Sequence, residues 1–371
     1  MLRAMLQPFV LSLGASMALL GILEALGGYG GVITSLIQPV GGWLSDRRGR
    51  RLLVILGSVL SLTALAFSTI ASYSNDWTWL VPAIITLGLS AVNLPAVDST
   101  VAESVEMHER SMAYSVLMFF TILPGIFASS IGGFIADEFG YAPLFLIGAL
   151  LQGFSLFLIL RFMRETLRVL HSIEWSKLAK SFGAFLFPTR ELRGFYLAIA
   201  SDAFFWGVGS AILPGLLRKT YNFSNLQLGI MWSILSVSSA CSQLPMGVLV
   251  KKHGCKRFLM LSEVLGILMM TGWLMFTSFE AFAALQVLMG LVISTWVPAM
   301  KTFLANSVSE ESRAEAMGKL AAFGGLVRFP APYLGGVLYD KIGFSVPITT
   351  GLVGVVFTLF IIFMLVHEPK N

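Results

Sequence analysis

Charge is scarce in this chain. Asp, Glu, Lys and Arg supply 12% of its 371 residues, about half the share found in an ordinary soluble domain. Cysteine is rarer still, with only Cys241 and Cys255. One falls in an expected helix and the other in an expected cytoplasmic loop, so no disulfide is expected. The four histidines, His108, His171, His253 and His367, are scattered over expected cytoplasmic segments and give no metal-ligand spacing, so neither a metal nor a cofactor is expected. A Walker A loop is missing too. Gly318-Lys319 has Arg313 where the first glycine should stand and Leu320 where Ser or Thr should, which argues against ATP-driven pumping and leaves enzymatic readings little support. Alternating ten-residue segments are absent, which excludes a transmembrane β-barrel.

Apolar residues make up 56% of the chain and cluster into runs long enough to cross about 30 Å of hydrocarbon. The reading is an all-α, polytopic membrane bundle in contact with the lipid bilayer. Eleven full spans are expected, at 16–44, 52–74, 78–101, 112–136, 142–162, 194–217, 227–249, 258–278, 281–304, 316–338 and 345–366. The densest charge lies between the first two, in Gly41-Gly42-Trp43-Leu44-Ser45-Asp46-Arg47-Arg48-Gly49-Arg50-Arg51. Each of those arginines would cost roughly 2.5–3.5 kcal/mol or more in hydrocarbon. The stretch is therefore expected to be a tight loop at the membrane surface, on the cytoplasmic side. With that side fixed, nineteen of the 25 lysines and arginines fall in cytoplasmic segments. Arg218, Lys219 and Lys341 fall outside, while Arg3, Lys301 and Arg328 lie within spans. The net charge of +5 is thus loop bias, and no nucleic-acid partner is expected. The protein is placed in the plasma (inner) membrane, with the central linker and C-terminus cytoplasmic.

An internal repeat divides the chain. Pro95, Ser104-Val105, Arg110, Gly132-Gly133, Asp137 and Gly140 recur 203 positions later as Pro298, Ser307-Val308, Arg313, Gly335-Gly336, Asp340 and Gly343. Gly42-Trp43-Leu44 and Gly49 recur as Gly247-Val248-Leu249 and Gly254. Two parallel copies of one helical unit follow: an N-terminal half at 1–162, a cytoplasmic linker at 163–193 and a C-terminal half at 194–371. Ser16 and Gly21 pair with Ser224 and Gly229, so residues 1–13 match only the outer end of the span beginning near 194. A largely missing first span is expected, rather than a signal peptide. Counting it as span 1, the eleven full spans are spans 2–12.

A G-x-L-x-D-R-x-G-R-[KR] loop between spans 2 and 3 of a two-copy helical protein resembles the major facilitator superfamily. Here Gly42, Leu44, Asp46, Arg47, Gly49, Arg50 and Arg51 keep every fixed position. The second copy is degraded, with Lys251 at the position of Asp46 and Cys255 at that of Arg50. The resemblance implies a fold of two pseudo-symmetric six-helix halves, with span 1 truncated here. It also implies that Asp46 caps the start of span 11 and that Arg50 pairs with an acid at the end of span 4, for which Glu103 is the match. Such contacts would latch the halves in the outward-open state and part on inward opening; the bland alternative is that the arginines only anchor topology. Drug-exporting branches carry G-P-x-x-G-G in span 5. Ala128-Ser129-Ser130-Ile131-Gly132-Gly133 keeps only the glycines, which weakens a drug-exporter reading.

Ionisable residues inside spans are expensive and are therefore functional candidates. Glu24 in span 2 continues into a small, polar face through Gly27, Gly28, Gly31, Ser35 and Gln38, suited to a water path or to close helix approach. Asp202 in span 7 neighbours Phe204, Phe205 and Trp206, a setting for a cation or a proton, or for structural pairing with Arg328 or Lys301. Asp98 and Lys301 are repeat-equivalent and could form an inner gate or snorkel to the surface. Arg328 in span 11 could hold an anionic solute or neutralise an acid. The expectation is a secondary transporter moving a small solute by alternating access, coupled to protons and directed outward. The alternatives are an organic-anion symporter or uniporter, and a non-transporting scaffold or defective fragment. Substrate identity and oligomeric state are not written in the sequence.

Overall fold

The computed structural model describes residues 2–28, 30–106, 110–167, 192–308 and 313–368. Their regular structure is helical throughout. The first half contains α1 (Leu2–Ser12), α2 (Met17–Gly27), α3 (Val32–Arg48), α4 (Arg50–Ser74), α5 (Leu80–Ser90), α6 (Leu94–Ser104), α7 (Arg110–Glu138) and α8 (Tyr141–Phe162). The second contains α9 (Arg193–Gly209), α10 (Leu213–Tyr221), α11 (Asn225–His253), α12 (Cys255–Met275), α13 (Phe279–Ser307), α14 (Arg313–Arg328), α15 (Ala331–Ile342) and α16 (Ser345–Leu365). Ten stretches are long and apolar enough to cross a membrane, and the chain is an integral membrane protein. The linker segment 168–191 lies outside the described residues.

Span 4 passes from α5 to α6 through one 3-10 turn at Ala91–Asn93, and three other expected spans break outright. Span 2 breaks between α2 and α3, where Gly27, Gly28, Gly30 and Gly31 crowd together and Gly30 takes φ +72°. Span 7 breaks at 210–212, just before Pro214, and runs on to Tyr221. Span 11 breaks at Phe329-Pro330, and neither of its pieces, of 16 and 12 residues, crosses a bilayer alone. A proline ring clashes with the preceding turn and supplies no N–H, while glycine offers the turn no side chain to hold it.

The basic loop is also shorter than expected. Helix α3 runs through Arg48 and α4 begins at Arg50, so the chain reverses at Gly49 alone, with φ +103°. Gly254 repeats this turn between α11 and α12 at φ +92°. Cys255 therefore opens a helix and does not sit in a loop. An L side chain resists such angles, which is why both positions are glycine.

The end carrying Arg47–Arg51 and Lys251–Arg257 is called the basic end. At the opposite end one apolar core runs through both halves. It joins Phe9, Leu20 and Phe145 to Leu216, Met269 and Phe282, all 1% exposed or less. At the basic end the buried apolar residues fall into two separate clusters. Leu53, Val54, Val92 and Ala96 belong to the first half, while Phe195, Leu259, Phe303 and Ile362 belong to the second. One apolar core is thus shared by both halves at one end and divided between them at the basic end.

Candidate functional site

Two polar assemblies stand out against this apolar frame. At the basic end Arg50 is only 7% exposed. Its guanidinium reaches Glu103 through Nη2 at 2.9 Å and Nε at 3.3 Å, donates to Ser45 Oγ at 2.9 Å and also bonds Asp46. Burial works against the Glu103 carboxylate, but bonds from Arg50 and Thr166 outweigh it and hold Glu103 below the usual carboxylate range. Glu165, beyond the end of α8, accepts from the backbone N–H of Arg50 at 2.8 Å and of Arg51 at 3.1 Å. Those N–H groups open α4 and have no partner within it. Burial again opposes ionisation, and four backbone N–H donors, Leu167, Arg50, Arg51 and Thr166, more than offset it. Arg51 Nη2 donates to Leu160 O at 2.7 Å, Arg47 stacks on Trp43 at 4.4 Å, and Gly42 packs on Pro95.

Every partner just named belongs to the first half or to the first residues of the linker. Among the described residues the bonds just given clip spans 2, 3, 4 and the chain just after span 6 together, and none of them reaches the second half. Residues 309–312, just ahead of α14, lie outside the described residues, so the expected cap of span 11 by Asp46 falls there. The second half keeps a reduced copy of the clip. Glu368, 203 positions after Glu165, accepts from the N–H groups of Cys255 and Lys256, the latter at 2.8 Å. No guanidinium stands at Cys255 to extend it.

The second assembly lies where the three broken spans meet. Arg328 is the last residue of α14. Its side chain lies against Gly207 in α9 and against Gly30 at the break of span 2. Asp202, one turn before Trp206 on α9, feels the charge of Arg328 and faces Glu263 of α12. Glu263 is 1% exposed and lies against Asp202 and Trp206, and among the described residues neither carboxylate oxygen closes a hydrogen bond of good geometry. Glu24 accepts from Gln7 Nε2 at 2.9 Å. The same nitrogen lies 2.7 Å from Ala211 O at the break of span 7, and Gln7 Oε1 takes the N–H of Gly215 at 3.0 Å. One buried glutamine thus ties span 1 to the breaks in spans 2 and 7.

The polar face expected after Glu24 is split by the break. Gly27 packs on the backbone of Ile84, while Ser35 meets Gly325; both are close helix approaches. Asp98 and Lys301 sit nearer the basic end, and Asp98 feels the charge of Lys301. Gln7 and Glu263 were missed by sequence reading. Glu263 carried a signal, a lone acid inside an apolar span. Gln7 carried none, because an amide in an apolar run has no charge to mark it.

The family profile described as Major Facilitator Superfamily matches residues 1–193 and 195–371. The chain belongs to the major facilitator superfamily. Among curated relatives, "Multidrug resistance protein MdtG" of Salmonella typhi is 21% identical over 87% of this chain and 80% of its own length. The MdtG protein of Citrobacter koseri is 21% identical over the same shares. Among solved structures, the nucleoside transporter NupG superposes with TM-score 0.80 at 13% identity, over 99% of this chain and 95% of its own. The human organic anion transporter MFSD10 superposes with TM-score 0.64 at 19% identity, over 95% and 87%. The chain is a transporter of this superfamily, a family that handles small molecules.

Proposed function

We propose that this superfamily member exports a small solute across the inner membrane by alternating access, in exchange for protons, with its basic end in the cytoplasm. In this reading the halves at 1–162 and 194–371, joined by the linker at 163–193, rock against each other, and the joined outer core and divided basic-end core fit a cytoplasm-open state. The carrying observation is the group Asp202, Glu263 and Arg328, with Glu263 buried, the other two half-buried, and Arg328 at the break of span 11. One arginine neutralises one carboxylate, and the second acid beside it reaches neutrality by taking a proton. A group of this kind, held where helices are interrupted, is the arrangement expected at a midplane transport site. Glu24 and Asp98 extend a titratable path towards either end. The multidrug resistance name of the relatives supports outward movement, despite the absent Gly-Pro in span 5.

Reconstitution in proteoliposomes with an imposed pH gradient tests this. Solute flux should follow the gradient and lose that dependence in Asp202→Asn and Glu263→Gln. Flux indifferent to pH in both variants and parent would remove proton coupling. A second reading rests on Arg328, whose guanidinium sits at the interface of the halves against Gly30. Loss of flux on Arg328→Ala for anionic solutes alone would favour an organic-anion carrier. No flux over a broad solute panel would favour a scaffold.

A further inference from the structure

At the end opposite the arginine cluster, two carboxylates cross from one half to the other. Asp137, at the end of α7, accepts from the backbone N–H of Asn225 at 3.1 Å and of Leu226 at 2.8 Å, and from Asn225 Nδ2 at 2.8 Å. Asn225 and Leu226 are the first residues of α11. Asp340, near the end of α15, accepts from the N–H of Met17 at 3.3 Å and of Ala18 at 2.9 Å, the first residues of α2. Lys219 Nζ joins it at 3.1 Å. The two acids are repeat-equivalent, and so are the helix starts on which they sit.

Each contact therefore places an anion on the positive end of a helix from the other half and fills donors that the helix leaves open. Ser16 and Ser224 already cap Leu19 and Gln227 at the same two starts, so the carboxylates take the N–H groups that the serines leave. The backbones come close enough for this only because glycines precede the acids. A Cβ on Gly336 would stand 2.1 Å from Met17 O, and one on Gly133 would stand 2.3 Å from Asn225 O. The contact is thus built from both sides, at two places related by the repeat.

We propose that Asp137 and Asp340 are paired catches that hold the outer end of the transporter shut, each by seating its carboxylate on a helix start of the opposite half. The arginine clip lies at the other end and is formed here without crossing to the other half among the described residues, whereas the catches cross between the halves and hold the closure seen here. Naming this end outer rests on the orientation proposed above; the closure itself does not.

Distances between spin labels test the proposal without any transport assay. In a background carrying Cys241→Ser and Cys255→Ser, labels are attached to cysteines replacing Tyr73 and Met275, exposed positions at the outer end of opposite halves. A second pair replaces Phe162 and Val248, exposed at the basic end. In the purified full chain, Asp137→Asn and Asp340→Asn should each raise the outer-open to outer-closed ratio by about two- to fivefold, from the usual worth of a charge at a helix end. The double variant should combine the two shifts, lengthening the outer distance while the basic-end distance shortens. Glu138→Gln, beside Asp137 and exposed, should do nothing. Gly336→Val, which cannot close, shows that the labels report opening. Distance distributions in the aspartate variants that superimpose on the parent, while Gly336→Val opens, would overturn the proposal. Failure of the transport reading alone would show as absent flux with these distance shifts intact.

Discussion

The halves meet along two seams that the repeat makes equivalent, yet the two are built differently. In one, α2 and α3 face α14 and α15; in the other, α7 faces α11. Both have the same outer fastening, a glycine approach followed by a carboxylate cap. Below that they diverge. The α7–α11 seam is two unbroken 29-residue helices joined by a hydroxyl pair, Ser130 and Ser233, at 2.8 Å. In the other seam both spans are broken at mid-depth, with Arg328 placed at the breaks. Closure is thus a duty shared by both seams, whereas chemistry is concentrated in one.

The largest effect should come from breaking that inequality. Removing Arg328 from beside the half-buried Asp202 and the buried Glu263 leaves their charge uncompensated, at a cost of up to about 3–5 kcal/mol. Arg328→Ala should therefore lower proteoliposome flux at least a hundredfold. Ser130→Ala with Ser233→Ala removes one neutral hydrogen bond, worth about 1 kcal/mol, and should change flux by less than tenfold. Equal losses in the two seams would mean that transport does not depend on the broken one.

Next come the glycines, where the seams should agree. Gly336→Val and Gly133→Val each press a side chain into the backbone of the facing helix. Each should abolish outer closure, read as the labelled distance between positions 73 and 275. Gly247 and Gly153 have open space at their Cβ positions, so alanine there should leave both closure and flux unchanged. A smaller effect is expected at the break of span 2. Gly30 holds φ +72°, and Gly30→Ala should cost roughly 1–2 kcal/mol, measured as a lower Tm in detergent. At Gly229 the backbone is helical, so the cost of alanine there is steric: its Cβ would stand 2.3 Å from Ser129 O, and Gly229→Ala should loosen the α7–α11 seam as Gly133→Val does.

Which parts of this were legible in the sequence follows from what each kind of signal encodes. Span positions came from apolar run length, which burial in lipid dictates residue by residue. The Arg50–Glu103 contact was reachable only through the motif's resemblance to the superfamily, which implies the partner; the residues alone do not name it. Breaks in spans 2, 7 and 11 were not foreseen, because hydropathy averages over Gly27-Gly28 and Phe329-Pro330 and registers only apolarity. The expected basic loop shrank to Gly49, since arginines whose charges are paired or reach the surface can remain helical. Asp137 and Asp340 were visible as a repeat match but carried no role. Their partners are backbone N–H groups on another span, and a backbone leaves no residue type to recognise. Gln7 illustrates the same limit, because its partners include Ala211 O and the Gly215 N–H.

The smallest effect compares the clip of the first half with its reduced copy in the second. Glu103 sits below the usual carboxylate range, because its bonds from Arg50 and Thr166 outweigh burial. A carboxylate with a depressed folded pKa adds stability that is complete above its unfolded value, about 4.3 for Glu, and that disappears as pH falls through the folded value. The parent should therefore unfold at a higher Tm than Glu103→Gln at pH 7, by an amount corresponding to about 1 kcal/mol for a partly exposed pair. That advantage should hold down to about pH 5 and then shrink until the two melting curves coincide in stronger acid. Cys255 offers the second half no cation to pair, so a Cys255→Arg chain would need its own acid to gain anything. If the Tm gap between parent and Glu103→Gln were instead flat across this range, the Arg50–Glu103 contact would be packing alone, and the asymmetry between the two clips would carry no electrostatic weight.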